Sequence, residues 1–245
     1  MQVTKLAEGL WRWTAPHPDW TPASGKPGGW EQMVGCTYYE PPAGVAGAGA
    51  LVLIDPLTPP EGTPDAEKFW KSLDGDVARL ARPVVILLGN HFHSRSAQAV
   101  MDRYRRTVGA SILAHEAAAH QVPCELTRTF RHGQVLPGGV VAHEAAGLSP
   151  DETVFRLPPH GALVFADALL GTGSGRVQVP RASWAPDSTE AQQMYREALR
   201  PSLRRLLELR GESAIRMLLV SHGEPVLSGG REALKAALDA PAWGE

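Results

Sequence analysis

Only two cysteines, Cys36 and Cys124, occur in 245 residues, and they form no C-x-x-C pair. That excludes a disulfide scaffold and a cysteine-based zinc knuckle. An excess of charge is missing too. The 24 basic and 26 acidic residues leave a formal net charge of -2, without the cationic face that a general nucleic-acid binder needs. No apolar run approaches the roughly 20 residues of a membrane-spanning helix; the best stretches are 44–54 and Val84–Leu88. The opening MQVTKLAEGLWRW lacks the apolar core of a signal peptide. There is no internal repeat and no long linker. These absences predict one cytoplasmic domain over residues 1–245, with a small-molecule substrate or ligand as partner and neither nucleic acid nor membrane. They leave the oligomeric state open.

What is present is a well-provisioned core. Hydrophobic residues make up 43% of the chain, and 25 glycines and 21 prolines punctuate it with turns. Strands are expected at 10–13, Met33–Tyr39 and 50–54, separated by Pro- and Gly-rich loops. Helical periodicity then appears at Pro64–Leu80 and 96–107, on either side of a buried strand at Val84–Leu88, with a further strand at 111–114. The second half carries strands at 140–143, Thr153–Leu157, 163–165 and 215–220. A helix opens at Asp187 with a capping-box pattern, meets Pro201 and runs to 209, and a last helix covers 230–238. Strands followed by helices in each half predict sheet layers flanked by helices.

Three short apolar strands end in metal-type ligands. Val84–Leu88 leads through Gly89-Asn90 into His91-Phe92-His93, 163–166 ends at Asp167, and 217–221 ends at His222. The carboxyl ends of strands are where ligands usually bind in such folds. In extended backbone His91 and His93 project to the same side, within reach of one cation. Each signal also has an ordinary reading: strand-end histidines bonded to backbone, an Asp capping a turn, a His anchoring Gly223-Glu224-Pro225. Trp11, Trp13, Trp20 and Trp30 cluster near the N-terminus and are expected mainly in the core. Gly171-Thr172-Gly173-Ser174-Gly175 lacks the Lys and the following helix of a phosphate loop and reads as a flexible edge of the site.

Several segments together resemble the metallo-β-lactamase superfamily along almost the whole chain. LVLIDP (Leu51–Pro56) resembles its strand ending in a structural Asp, and NHFHSRSA (Asn90–Ala97) lies where the family carries H-x-H-x-D-H. GLSPDETVFRLPPHGALVFAD (Gly147–Asp167) resembles its G-H-x-P-G segment, paired strands and metal-bridging Asp, and VSHGEPV (Val220–Val226) its closing strand with a last His. The resemblance implies an α/β fold, an αββα sandwich of two mixed sheets flanked by helices, with the site between the sheets. It implies His91, His93, Asp167 and His222 as metal ligands, and Asp167 as the catalytic carboxylate. Arg95, Ser96 and Leu148 stand at the edge of the pocket, where the family carries further ligands. The metal centre is therefore degenerate: zinc or another divalent metal, at most one per chain, or none. The function implied is hydrolysis of an ester, thioester, lactone or similar small substrate; the alternative is a metal-free protein that binds in the ancestral pocket. An Arg95 turned inward is expected to pair with Asp167 where the second metal would sit. Turned outward, it leaves a single-metal site.

Overall fold

Strands buried on both faces organise the chain, and their side chains alternate between two cores. In the computed structural model, which describes all residues except 27–28, 46, 210–214 and 244–245, the first sheet has seven strands in sequence order. They are β1 (Gln2–Ala7), β2 (Leu10–Pro16), β3 (Met33–Tyr39), β4 (Leu51–Ile54), β5 (Val84–Leu87), β6 (Ala110–His115) and β7 (Arg128–Phe130). Pairing is antiparallel from β1 to β4 and parallel from β4 to β7. The second sheet is built from β8 (Val135–Leu136), β9 (Val140–Glu144), β10 (Thr153–Leu157), β11 (Ala162–Phe165) and, beyond the small hairpin β12 (Leu170–Gly173) and β13 (Arg176–Gln178), β14 (Met217–Val220). Its order is β14-β11-β10-β9-β8, with only β11 and β14 parallel.

The period-2 alternation of side chains along a strand explains the layering. Val52 and Ile54 of β4, Val85 and Leu87 of β5, Ala162 and Val164 of β11 and Met217 and Leu219 of β14 share one core between the sheets. Their neighbours face outward. Leu51, Leu53, Val84 and Ile86 pack under helices α1 (Pro64–Leu80) and α2 (Ala97–Tyr104). Leu163, Phe165, Leu218 and Val220 pack, on the far side, under α4 (Arg200–Leu206) and α5 (Gly230–Asp239), while α3 (Thr189–Met194), which leads into α4, buries no residue. This is the expected αββα sandwich of two mixed sheets. Helix α1 starts as its sequence dictates: Thr63 accepts a hydrogen bond from the Ala66 N–H, and Pro64 sits at the first helical position. Among the described residues no helix is long and apolar enough to cross a membrane.

Four local expectations change. Ser188, not Asp187, caps α3, its side chain accepting from the Ala191 N–H. The break near Pro201 is a single π-helical turn over Tyr195–Leu199 between α3 and α4, a widening that accommodates the proline's missing N–H and its ring. The 171–175 glycine run is the turn and flanks of the β12–β13 hairpin rather than an open loop. Finally, His91–Ser94 is a turn of 3₁₀ helix, not extended chain.

Candidate active site

Strand β4 runs out into Asp55, which adopts φ of 51°, the left-handed region that Asp tolerates better than most residues. Its buried carboxylate receives two contacts from the segment after β5: the Gly89 N–H donates to Oδ1 at 2.7 Å, and Nδ1 of His93 lies 2.8 Å from Oδ2. Gly89 is required there, because a Cβ would stand 2.9 Å from Asp55 Oδ2 and 2.8 Å from the Ala166 methyl.

The 3₁₀ turn separates the two histidines. Two residues along a helix of three residues per turn rotate a side chain by about 240°, so His91 and His93 point different ways. His93 turns into the molecule. His91 turns to Asp151, which is fully buried: the His91 N–H donates to Asp151 Oδ2 at 2.5 Å, and Nδ1 lies 3.0 and 3.1 Å from its two oxygens. The Ser149 hydroxyl donates to the same carboxylate at 2.8 Å. The structure thus does not bring His91 together with the other predicted ligands.

Asp167, just beyond β11, is fixed from behind. The Asn90 amide donates to its Oδ2 and to Oε2 of Glu152, both at 2.9 Å, while the Asp167 and Ala168 N–H groups donate to Glu152 Oε1 at 2.8 and 2.9 Å. Burial and the neighbouring Asp167 charge push the Glu152 carboxyl up to about 8, against the pull of these donors. Burial alone would raise Asp167; His93 and His222 more than offset it and hold the carboxyl well below the usual range.

His222 follows β14 on a turn clamped by the first sheet. The Gly35 N–H donates to the Ser221 carbonyl at 2.7 Å, and the Arg12 guanidinium donates to the Gly223 carbonyl at 2.8 Å. Gly35 leaves room for this: its Cβ would lie 2.4 Å from Arg12 Nη2. The rings of Trp30 and Trp184 meet His222 edge-on at 5.3 and 5.4 Å, and His17 packs on Trp30 at 4.9 Å. Trp30 is therefore a wall of the site, while Trp13 is core.

Three predicted ligands converge. Nε2 of His93 and Nε2 of His222 lie 3.2 and 3.1 Å from Oδ1 of Asp167, and all three atoms fall within 4.8 Å of one another. Burial and Arg95 disfavour a charged His93, but Asp167 and Asp55 outweigh them and raise it to about 9. Burial lowers His222 despite Asp167. The other predicted pocket residues do different work. The Ser96 hydroxyl accepts from the Thr58 N–H at 3.0 Å, and Leu148 packs in the helix-side core with Leu199 and Leu203. Arg95 does point inward, but the expected pair with Asp167 is not what its hydrogen bonds show: Nη1 donates to the Asp55 carbonyl at 3.3 Å and Nη2 lies 3.0 Å from His93 Nε2. Its backbone, at φ 35° and ψ -112°, lies in a region L-residues rarely adopt and swings the side chain toward β4. His143, on β9, is apart from this cluster and pairs its ring with His132 at 5.9 Å.

Sequence reasoning missed Asn90, Asp151, Glu152 and Arg12. A signal existed for two of them: Asp151 and Glu152 are adjacent acids directly ahead of the apolar strand β10, and both are buried.

No family model and no curated protein matches the chain by sequence. Solved structures do match by shape. A metallo-β-lactamase family protein from Thermus thermophilus superposes with a TM-score of 0.58 at 18% identity, covering 96% of this chain and 80% of that one. The fold is that of the metallo-β-lactamases. A metallo-β-lactamase from Pontibacter korlensis gives 0.60 at 16% identity over 98% and 99% of the two chains. FIM-1 from Pseudomonas aeruginosa, solved in its mono-zinc form, gives 0.60 at 12% identity over 97% and 93%.

The metallo-β-lactamase fold raises the question whether these residues suit a metal. Zinc bonds to N and O of about 2.0–2.2 Å put tetrahedral ligand atoms about 3.3 Å apart, close to the two contacts at Asp167 Oδ1. That oxygen is buried and otherwise accepts no hydrogen bond. His93 is backed by a carboxylate on its other nitrogen, as ligating histidines usually are, whereas Nδ1 of His222 is buried without a partner. The donor set fits one divalent cation, provided His93 gives up its Nε2 proton and the Arg95 guanidinium moves off that nitrogen.

Proposed function

We propose that the chain, acting as one domain, is a hydrolase-like protein that cleaves an ester, thioester, lactone or similar small substrate at the His93–Asp167–His222 cluster, with at most one divalent cation. The observation that carries this reading is the convergence of two imidazole nitrogens and one buried carboxylate oxygen, each on the carboxyl side of a different strand. When bound, a cation held by these three residues supplies Lewis-acid polarisation of the scissile carbonyl. The protein's own groups supply orientation. Asp55 fixes the His93 ring, Asn90 and Glu152 fix Asp167, Arg12 fixes the turn that bears His222, and Trp30 and Trp184 keep water from its ring. At neutral pH Asp167 is ionised, and its Oδ1 faces both imidazole nitrogens as the carboxylate oxygen that a cation would share with them.

The test combines elemental analysis with an ester, thioester and lactone screen. The wild type is expected to hold no more than one metal and to turn over at least one substrate class faster than a His93→Ala, Asp167→Ala double variant. Equal rates across the screen would sink the hydrolase reading. A second reading, a metal-free binding protein, is favoured by one observation: Arg95 Nη2 already sits against the nitrogen a cation would need. Elemental analysis returning no metal, before and after incubation with zinc, together with equal rates, would establish it instead.

A further inference from the structure

Arg95 brings a positive charge into the cluster and uses few of its donors there. A guanidinium has five N–H donors in a rigid fork. Among the described residues Arg95 makes one long hydrogen bond to a carbonyl and one contact to an imidazole nitrogen, and its Nε is buried without a partner. The acids nearby are already committed. Asp55 receives Gly89 and His93, and Asp167 receives Asn90 and faces both histidines. The backbone at Arg95 holds a conformation that costs about 1–3 kcal/mol in a non-glycine residue. A strained backbone that presents a guanidinium with unmet donors against His93, in a cluster whose His222 is walled by two tryptophan edges, is the arrangement of a ligand anchor.

We propose that Arg95 binds an anionic oxygen group, a carboxylate or a phosphate, on the molecule that enters this site. Planar guanidinium donors match either group in bidentate fashion, and the remaining Nη donors of Arg95, a side chain only partly buried, are the ones such a group takes up. The inference rests on the proposed function only for the location of the site. It adds that the substrate carries a negative charge next to the bond or group held at the cluster, and it holds equally if no turnover occurs.

The probes are acetate and inorganic phosphate, titrated at constant ionic strength and followed by tryptophan fluorescence and by the indole N–H signals of Trp30 and Trp184. Purified protein is tested as isolated and after chelator treatment. At least one anion is expected to bind saturably in both preparations, at least tenfold more weakly in Arg95→Met, and with intermediate affinity in Arg95→Lys, which keeps the charge but loses the fork. The tighter of the two anions names the ligand class. Arg105→Gln, a surface cation that pairs with Asp102 and Glu125 and, among the described residues, makes no contact with the cluster, should bind as the wild type does. Three results would overturn the proposal: no saturable binding of either anion to the wild type, equal affinity in Arg95→Met, or binding that chelator removes and Arg95→Met leaves intact, which would put the anion on a bound metal. If Arg95→Met does not fold, the Arg95→Lys and chelator arms decide alone. The hydrolysis screen is separate, so failure of turnover does not touch this result.

Discussion

Nδ1 of His93 lies 2.8 Å from Oδ2 of Asp55, and both side chains are almost completely buried. The pair joins the end of β4 to the turn after β5 and fixes which nitrogen of His93 faces the cluster. Asp55→Ala leaves the Gly89 N–H and His93 without their acceptor. The expected loss is about 3–5 kcal/mol, as for breaking one partner of a buried pair, read from urea unfolding. Asp55→Asn keeps an oxygen for Gly89 and tolerates the left-handed backbone, so it should lose distinctly less.

Metal binding separates the two histidines of the H-x-H. His93→Ala, Asp167→Ala and His222→Ala should each weaken zinc at least tenfold in a competition with a chromogenic chelator. His91→Ala should bind as the wild type does, because His91 is held by Asp151 outside the converging group. A matching loss in His91→Ala would show that the turn at His91–Ser94 rearranges around a cation.

Burial, with His132 and Arg156 adding like charge, lowers His143 to about 4. An unfolded chain restores it to about 6.5 and takes up the proton first. The His143 contribution is therefore intact above about 6.5 and is lost as pH falls toward 4. Denaturant midpoints at pH 7.5 and 5 should fall further for the wild type than for His143→Gln; parallel falls would assign the acid sensitivity elsewhere.

The two thiols should label at very different rates. Cys36 is buried, its sulfur accepts from the Leu57 N–H at 3.2 Å, and burial pushes the thiol up to about 11. Cys124 is only half-buried and is raised less. Mass spectrometry after brief exposure to a thiol reagent should show one adduct, on Cys124, and two only after unfolding.

Strand positions were legible because short β-prone segments bounded by turn residues leave little choice: Met33–Tyr39 and Thr153–Leu157 fall where the sequence puts them, as does helix Pro64–Leu80. Strand β1 was not, since Gln2–Ala7 is an exposed edge with no apolar face to betray it. The family motifs carried Asp55, His93, Asp167 and His222 to one place. Strand alternation does not hold at His91, which lies in a four-residue turn of 3₁₀ helix and is held by Asp151 instead. Whether a polar residue near a strand end faces the cluster depends on rotation within a single turn, and neither composition nor spacing encodes that. Asn90, Asp151 and Glu152 act through carboxylates and amides that meet across 60 or more residues of chain, a relation with no local signature.

The clamp on His222 has a consequence for how this protein comes to be functional. Arg12 reaches a carbonyl 211 positions away, and Gly35 meets Ser221 alongside it. A growing chain that has emerged as far as Leu209 already contains His93 and Asp167, yet lacks both the last imidazole and the carbonyls that Arg12 seeks. Closure of β2 and β3 onto the turn after β14 is thus the event that creates the cluster, and it comes late because contacts so distant in sequence form slowly. Any ligand that bridges His93 and His222 should act as a latch on that closure. It would slow global unfolding and protect β3 and β14 together from hydrogen exchange, although neither strand supplies a group to the ligand.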